Sequence, residues 1–342
     1  MNDSVNKEEA TNCQPPQVPQ DEPISSNSTS RPNNSSQMQM NPIAVLLMSL
    51  AIITLLCICG YLLYDKYIHK GENSEEPTEV VEENATDTIA QELQSIEETI
   101  NGVSFKMIKV KGGAFNMGSS SGAYDEQPVH QVTLDDYYIG ETEVTQSLWE
   151  AVMGINIDYY RCQAEYDFGW VCDLHGFGPE FPMYYVSWDD CVEFVAKLNE
   201  LTGKTYSLPT EAQWEYAARG GAKSQGYIYS GSDSANDVAW FGPTVDRGGT
   251  CFQVKTKNPN ELGIYDMSGN VREWCNDRYS GNYYSISPST EPKGPSTGTK
   301  RVLRGGSWRD GANDIRVTKR FDQNTSKHYN RIGLRVVLNG VK

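Results

Sequence analysis

Few residues in this chain have the type and spacing to do chemistry. Asp266 and Glu273 flank a glycine turn in DMSGNVREW. Carboxylates and turn-exposed carbonyls are the hard oxygen donors that Ca²⁺ takes, although no EF-hand loop is present. The same spacing also suits an ion pair between Glu273 and a nearby arginine. A second candidate is RVLRGGSWRDGANDIR at 301–316. There Val302 and Leu303 favour a strand, Gly305-Gly306 turns it, and a hydroxyl (Ser307) and a large ring (Trp308) follow at once. A nucleophilic serine needs a histidine and an acid in space, and the residues around Ser307 supply no such set. Neither Gly112-Gly113 nor Gly305-Gly306 precedes the Lys-Ser/Thr of a phosphate-cradling loop, so both read as turns.

Metal and thiol chemistry is narrower still. No two of the four histidines, His69, His130, His175 and His328, stand at ligand spacing, so a histidine-based zinc or iron site is not expected. The eight cysteines form no paired C-x-x-C. Cys162 and Cys172 bracket a short aromatic loop, either as a disulfide in a domain outside the cytosol or as two thiols. Cys191 falls on the apolar face of a helix and belongs to a core.

The elements that must position these residues begin near residue 103. Val103–Val110 reads as a strand, Gly112-Gly113 breaks it, and 114–118 resumes it as the second arm of a hairpin. Val129–Leu134 is another strand, and a short helix over Gln146–Met153 stops at Gly154. Ser187 caps a helix bearing Cys191, Phe194, Val195, Leu198 and Leu201, which Gly203 ends. Thr210 and Gln213 form a capping box before Trp214 and Tyr216. Beyond Gly220 the frequent Gly, Pro, Asn and Asp predict short strands and long irregular connections. No internal repeat is found.

The N-terminal third differs in texture. Residues 1–42 are polar and low in large apolar side chains, and are expected to be a disordered tail. Ile43–Tyr64 is uncharged and apolar all round, long enough to span a bilayer as one helix at ~1.5 Å per residue. Residues 65–100 form an acidic linker, in which Ile89, Leu93, Ile96 and Ile100 mark a short helical stripe on a solvated stalk. The net charge of −16 argues against nucleic acid and anionic lipid as partners. The 30 Gly and 20 Tyr suit a turn-rich domain filled by rings.

From about Phe105 to Leu338 the chain resembles the sulfatase-modifying-factor family, whose best-known members are formylglycine-generating enzymes. The resemblance rests on stretches in family order: GGAFNMGS (112–119), DEQPVHQVTLDDYYIGETEVTQSLWEAVMG (125–154), PMYYVSWDDCVEFVAKLN (182–199), LPTEAQWEYAARGG (208–221), NELGIYDMSGNVREW (260–274), RVLRGGSW (301–308) and RIGLRVVL (331–338). It implies an α+β, C-type-lectin-like fold with little regular secondary structure, here preceded by the transmembrane helix. It also implies a structural calcium, with Asp266 and Glu273 as side-chain ligands and Gly269 and Val271 giving carbonyls.

The oxidising members carry copper-binding cysteines at the third and eighth positions past the serine of this turn. Those positions hold Asp310 and Ile315, so copper is not expected. The branch that uses non-haem iron takes its histidines from an extra domain that this chain lacks. The sequence therefore points to a membrane-tethered, non-oxidising module in the region 101–342. Its 301–330 loops would bind an unknown ligand or envelope protein through Ser307, Trp308, Arg309, Asp310, Asn313, Arg316, Asn324 and Tyr329, with Trp308 either an exposed ring or packed in the core. For Arg316, ion pairing that fixes the C-terminal loops is the alternative to ligand contact, and for Arg320 and Arg335 it is the expected role. The alternatives are an oxidase in which Cys251 or Cys275 replaces the missing thiols, and a structural part of an envelope assembly. Family analogy and the 162–172 bridge put the domain outside the cytosol, while the sparse lysines and arginines flanking the span lean slightly the other way.

Overall fold

Three sheets organise the chain in a computed structural model that describes residues 94–168, 172–244 and 249–340. The tail at 1–42 and the expected span at 43–64 lie outside these residues; among those described, no helix is long and apolar enough to cross a membrane.

The first sheet is antiparallel and five-stranded, in the order β1 (Ser95–Ile100), β2 (Val103–Val110), β5 (Tyr137–Gly140), β11 (Val337–Asn339), β6 (Tyr206–Ser207). Its first strand corrects the expected stalk. Ile96 and Ile100 belong to a strand whose alternate residues turn inward, paired to β2 with Ile100 opposite Val103. The turn between them is Asn101-Gly102, both at positive φ (48° and 85°), the geometry that closes a two-residue hairpin. The hairpin expected across Gly112-Gly113 is also corrected. β3 (Gly113–Met117) turns away from β2 and pairs with β4 (His130–Leu134) as a separate two-stranded sheet.

The helices match their punctuation. Thr145 accepts the Leu148 N–H at the start of α1 (Gln146–Met153), and Gly154 closes it at φ 71°. α2 (Ile157–Phe168) follows. Ser187 and Asp190 cap α3 (Trp188–Thr202) reciprocally, and Thr210 and Gln213 do the same for α4 (Glu211–Ala218). A single turn, α5 (Ala235–Val238), comes after them.

The third sheet carries the sites. Its order is β10 (Ile332–Gly333), β7 (Arg272–Arg278), β8 (Lys300–Arg304), β9 (Phe321–Asn324), with β10 parallel to β7 and the other pairs antiparallel. Rings fill the core around it. Trp149 stacks on Phe194 with centroids 4.8 Å apart, and Trp214 and Trp274 are fully buried. Irregular loops need internal reinforcement, and buried ion pairs supply it. Arg316 holds Glu126 through two 2.8 Å bonds, Arg320 holds Glu211 at 2.6 and 2.8 Å, and Arg304 pairs with Glu215. Because each glutamate lies far from its arginine in sequence, these pairs tie the C-terminal loops to the first half of the domain.

Candidate functional site

β8 ends at Arg304, and the chain reverses through Gly305 (φ 90°) and Gly306 (φ 70°). Gly306 has no substitute here, because a Cβ would lie 2.6 Å from the Asp314 carbonyl oxygen and 2.7 Å from the Ile315 side chain. The turn delivers Ser307 into the interior. Its hydroxyl donates to Asp310 Oδ2 at 2.7 Å, and Arg272 on β7 grips the same carboxylate through Nε (2.9 Å) and a terminal nitrogen (2.7 Å). Ser307 is thus a donor to an occupied carboxylate, with no histidine bonded to its hydroxyl among the described residues. Arg272 is a site residue that sequence reasoning missed, and the available signal was its place beside Glu273 on a strand facing β8.

Of the two readings of Trp308, the structure has the packed one. Trp308 is only 4% exposed, stacks on His175 with centroids 5.0 Å apart, and donates its ring N–H to the Asn330 carbonyl at 3.3 Å. Gly249 packs against its outer face, where a Cβ would run into the ring. Arg316, expected as a ligand contact, takes its alternative role of loop tie through its bonds to buried Glu126. Arg320 and Arg335 take the ion-pairing role expected of them. Arg309, Asn313 and Asn324 are exposed, while Asp310 and Tyr329 are half-buried.

Ile315 is fully buried with Val238, Ala239 and Phe241, an all-apolar setting. Cys251 and Cys275 belong to separate apolar clusters. Burial pushes both thiols well above their usual range, with Glu143 adding to the effect on Cys251 and Asp277 to that on Cys275. Cys172, one end of the expected 162–172 bridge, is buried. Burial and then Glu165 raise its pKa. Its backbone is held by α2, where Glu165 accepts its N–H at 3.2 Å and Arg161 reaches its carbonyl at 3.3 Å.

The acidic turn has a different character. Glu273 is sealed from water, accepts the Trp214 ring N–H at 2.7 Å, and is clasped by Arg335 at 2.8–3.1 Å. This is the ion-pair alternative of the sequence reading. Asp266, also buried, accepts the Lys255 N–H at 2.8 Å on one oxygen, while Oδ1 has no hydrogen-bond partner. Burial pushes the Asp266 carboxyl up to about 6. Glu143, raised by burial and then by Asp266 and Glu273, accepts the Val271 N–H at 3.2 Å and the Asn270 amide at 3.1 Å. Three carboxyls therefore face one guanidinium, that of Arg335. No three His, Cys, Asp or Glu side chains among the described residues converge into a cage by themselves, so a cation here would need backbone oxygens. The bare Asp266 oxygen and the excess of acid fit one.

Two open clefts lie away from the 301–330 loops. One, of about 830 Å³, is lined by amides such as Gln213 and Asn276 and by charged side chains of both signs, among them Lys109, Asp136, Glu291 and Lys293. The other, of about 530 Å³, runs beside Glu141, Glu143 and Lys255.

Comparison with known proteins adds the following. A family model described as a sulfatase-modifying factor enzyme 1-like domain matches residues 94–340. The chaperone protein LppX of Paenibacillus barcinonensis is 34% identical over 257 residues, covering 65% of this chain and 86% of that protein. The formylglycine-generating enzyme of Streptomyces coelicolor is 31% identical over 251 residues, covering 59% of this chain and 78% of the enzyme. A serine/threonine-protein kinase, pkn1 of Chlamydia pneumoniae, is 32% identical over 68% of this chain but only 38% of the kinase. Among solved structures, Treponema denticola variable protein 1 superposes with a TM-score of 0.62 at 28% identity, covering 72% of this chain and 99% of that one. PvdO of Pseudomonas aeruginosa gives a TM-score of 0.53 at 25% identity, covering 69% and 94%.

Proposed function

Given that this chain belongs to the sulfatase-modifying factor enzyme 1-like family, we propose that it is a membrane-tethered, non-oxidising member whose 301–330 loops bind a ligand or partner. One observation carries the reading. The two positions where the oxidising members place copper thiolates are built into the fold: Asp310 in the Arg272 and Ser307 bonds, Ile315 in an apolar cluster. A thiolate pair is a soft ligand set for copper(I), and neither side chain substitutes for it. Relocated chemistry at Cys251 or Cys275 is disfavoured, because both thiols are buried, protonated and in different clusters. Identity of 34% to a chaperone is in keeping with a binding role.

The tether would be the apolar run at 43–64, with the domain outside the cytosol. A structural Ca²⁺ would be held by Asp266 with carbonyls of Gly269 and Val271. Glu273, whose oxygens Arg335 and Trp214 occupy, would act mainly through its charge. The ion would supply charge neutralisation and a fixed turn.

Copper(I) titration of the solubilised full-length chain tests the central claim. No tight stoichiometric site is expected. Tight binding that disappears in a Cys251→Ser/Cys275→Ser double variant would establish the oxidase alternative. Photo-crosslinking from position 309 in whole cells addresses the partner: an envelope-assembly component would trap one constant neighbour.

A further inference from the structure

The strand order of the third sheet gathers three arginines at one end of the 301–316 turn. β10 runs parallel to β7 with Ile332 opposite Arg272, and the Arg272 N–H donates to the Arg331 carbonyl at 2.9 Å. Arg331 therefore stands beside Arg272, and Arg309 immediately precedes the Asp310 that Arg272 grips. That grip uses the carboxylate up, since Asp310 accepts two bonds from Arg272 and one from Ser307. The Arg272 guanidinium also lies 3.8 Å over the Phe321 ring, so its position is fixed.

Arg309 and Arg331 are left over. Arg304, Arg316, Arg320 and Arg335 each have a glutamate within 2.8 Å or closer. Among the described residues neither Arg309, which is exposed, nor Arg331, which is half-buried, forms a salt bridge of its own, Asp310 being bonded to Arg272. Three guanidinium charges stand against one carboxylate, leaving two positive charges on a chain whose net charge is −16. Burial first, then Arg272 and more weakly Arg309, lowers the proton affinity of Arg331, and Asp310 offsets only part of this crowding of like charges.

We propose that Arg309 and Arg331 form a site for a dianionic phosphoryl group on a soluble ligand, with the Arg272–Asp310 pair as its fixed floor. This deepens, and rests on, the reading of the 301–330 face as a binding surface. Two charges within one cluster suit a single compact dianion better than two separate carboxylates. The guanidinium fork matches its tetrahedral oxygens, which a lysine point charge would not. The buried Trp308–His175 stack behind the turn keeps the backbone of Arg309 in place.

Isothermal titration of the solubilised full-length chain with inorganic phosphate tests this, with succinate in parallel. Saturable phosphate binding is expected to tighten between about pH 5 and about pH 8, as phosphate gains its second charge. Arg331→Ala and Arg309→Ala should each weaken it about tenfold or more, the size of one lost charge-assisted bond. Arg331→Lys should also weaken it, although it keeps the charge. Because Arg309 is exposed, its variant stays informative even where Arg331→Ala fails to fold. No saturable phosphate binding, binding indifferent to both substitutions, or succinate binding as tightly as phosphate would overturn the proposal. If phosphate does not bind while crosslinking from position 309 still traps a partner, only this inference fails; if position 309 traps nothing and phosphate does not bind, both fail.

Discussion

Arg335 and Glu273 are both sealed from water, and each is the other's main compensation. Cutting one partner of such a pair leaves a bare buried charge, whereas replacing both with apolar groups can be nearly neutral. Arg335→Met is therefore expected to lose about 3–5 kcal/mol of stability in urea unfolding. Arg335→Met combined with Glu273→Leu should recover most of that loss. Asp277 offers a test in pH. Burial and then Glu211 push its carboxyl up to about 8. The folded chain keeps this proton up to about 8 while an unfolded aspartate releases it near ~4. Between those values the folded state binds the extra proton, so stability falls as pH rises across the window. Asp277→Asn should flatten that decline, read as melting temperature against pH.

At the scale of elements, β1 is the informative case. It adds an edge to β2, and its inward face sets Ile96 and Ile100 on the core around Trp149. Removing it would strip ladder bonds from β2 and expose an apolar edge, the usual route to association. A chain beginning at residue 101 is expected to melt lower and to aggregate more than one beginning at 94, measured by thermal unfolding and light scattering. Asn101-Gly102 between two β-forming runs was a readable hairpin signal. The i, i+4, i+7 spacing of Ile89, Leu93 and Ile96 masked it, because a few isoleucines can satisfy helical and strand periods together.

For the whole molecule, long irregular connections are held by ion pairs, buried rings and, as proposed, one cation. A Ca²⁺ that binds only the folded chain raises the melting temperature by mass action. Added Ca²⁺ is expected to raise it and a chelator to lower it, and Asp266→Ala should abolish the response. An unchanged melting temperature would remove calcium from the reading.

The sequence by itself determined the capped helices, because Thr145, Ser187, Thr210 and their closing glycines act within a few residues of the chain. It also held the motifs of the family and the identities of Asp310 and Ile315, which need no folding to be read. It could not decide strand partners, since β3 is adjacent to β2 in sequence but pairs with β4. Nor could it say whether Trp308 faces water or His175, or that Arg316 belongs to Glu126 and Arg272 to Asp310. Pairing, burial and charge compensation depend on residues that meet only when distant segments fold together. For that reason only the tertiary structure separated the arginines that hold the loops from Arg309 and Arg331, which form no salt bridge among the described residues.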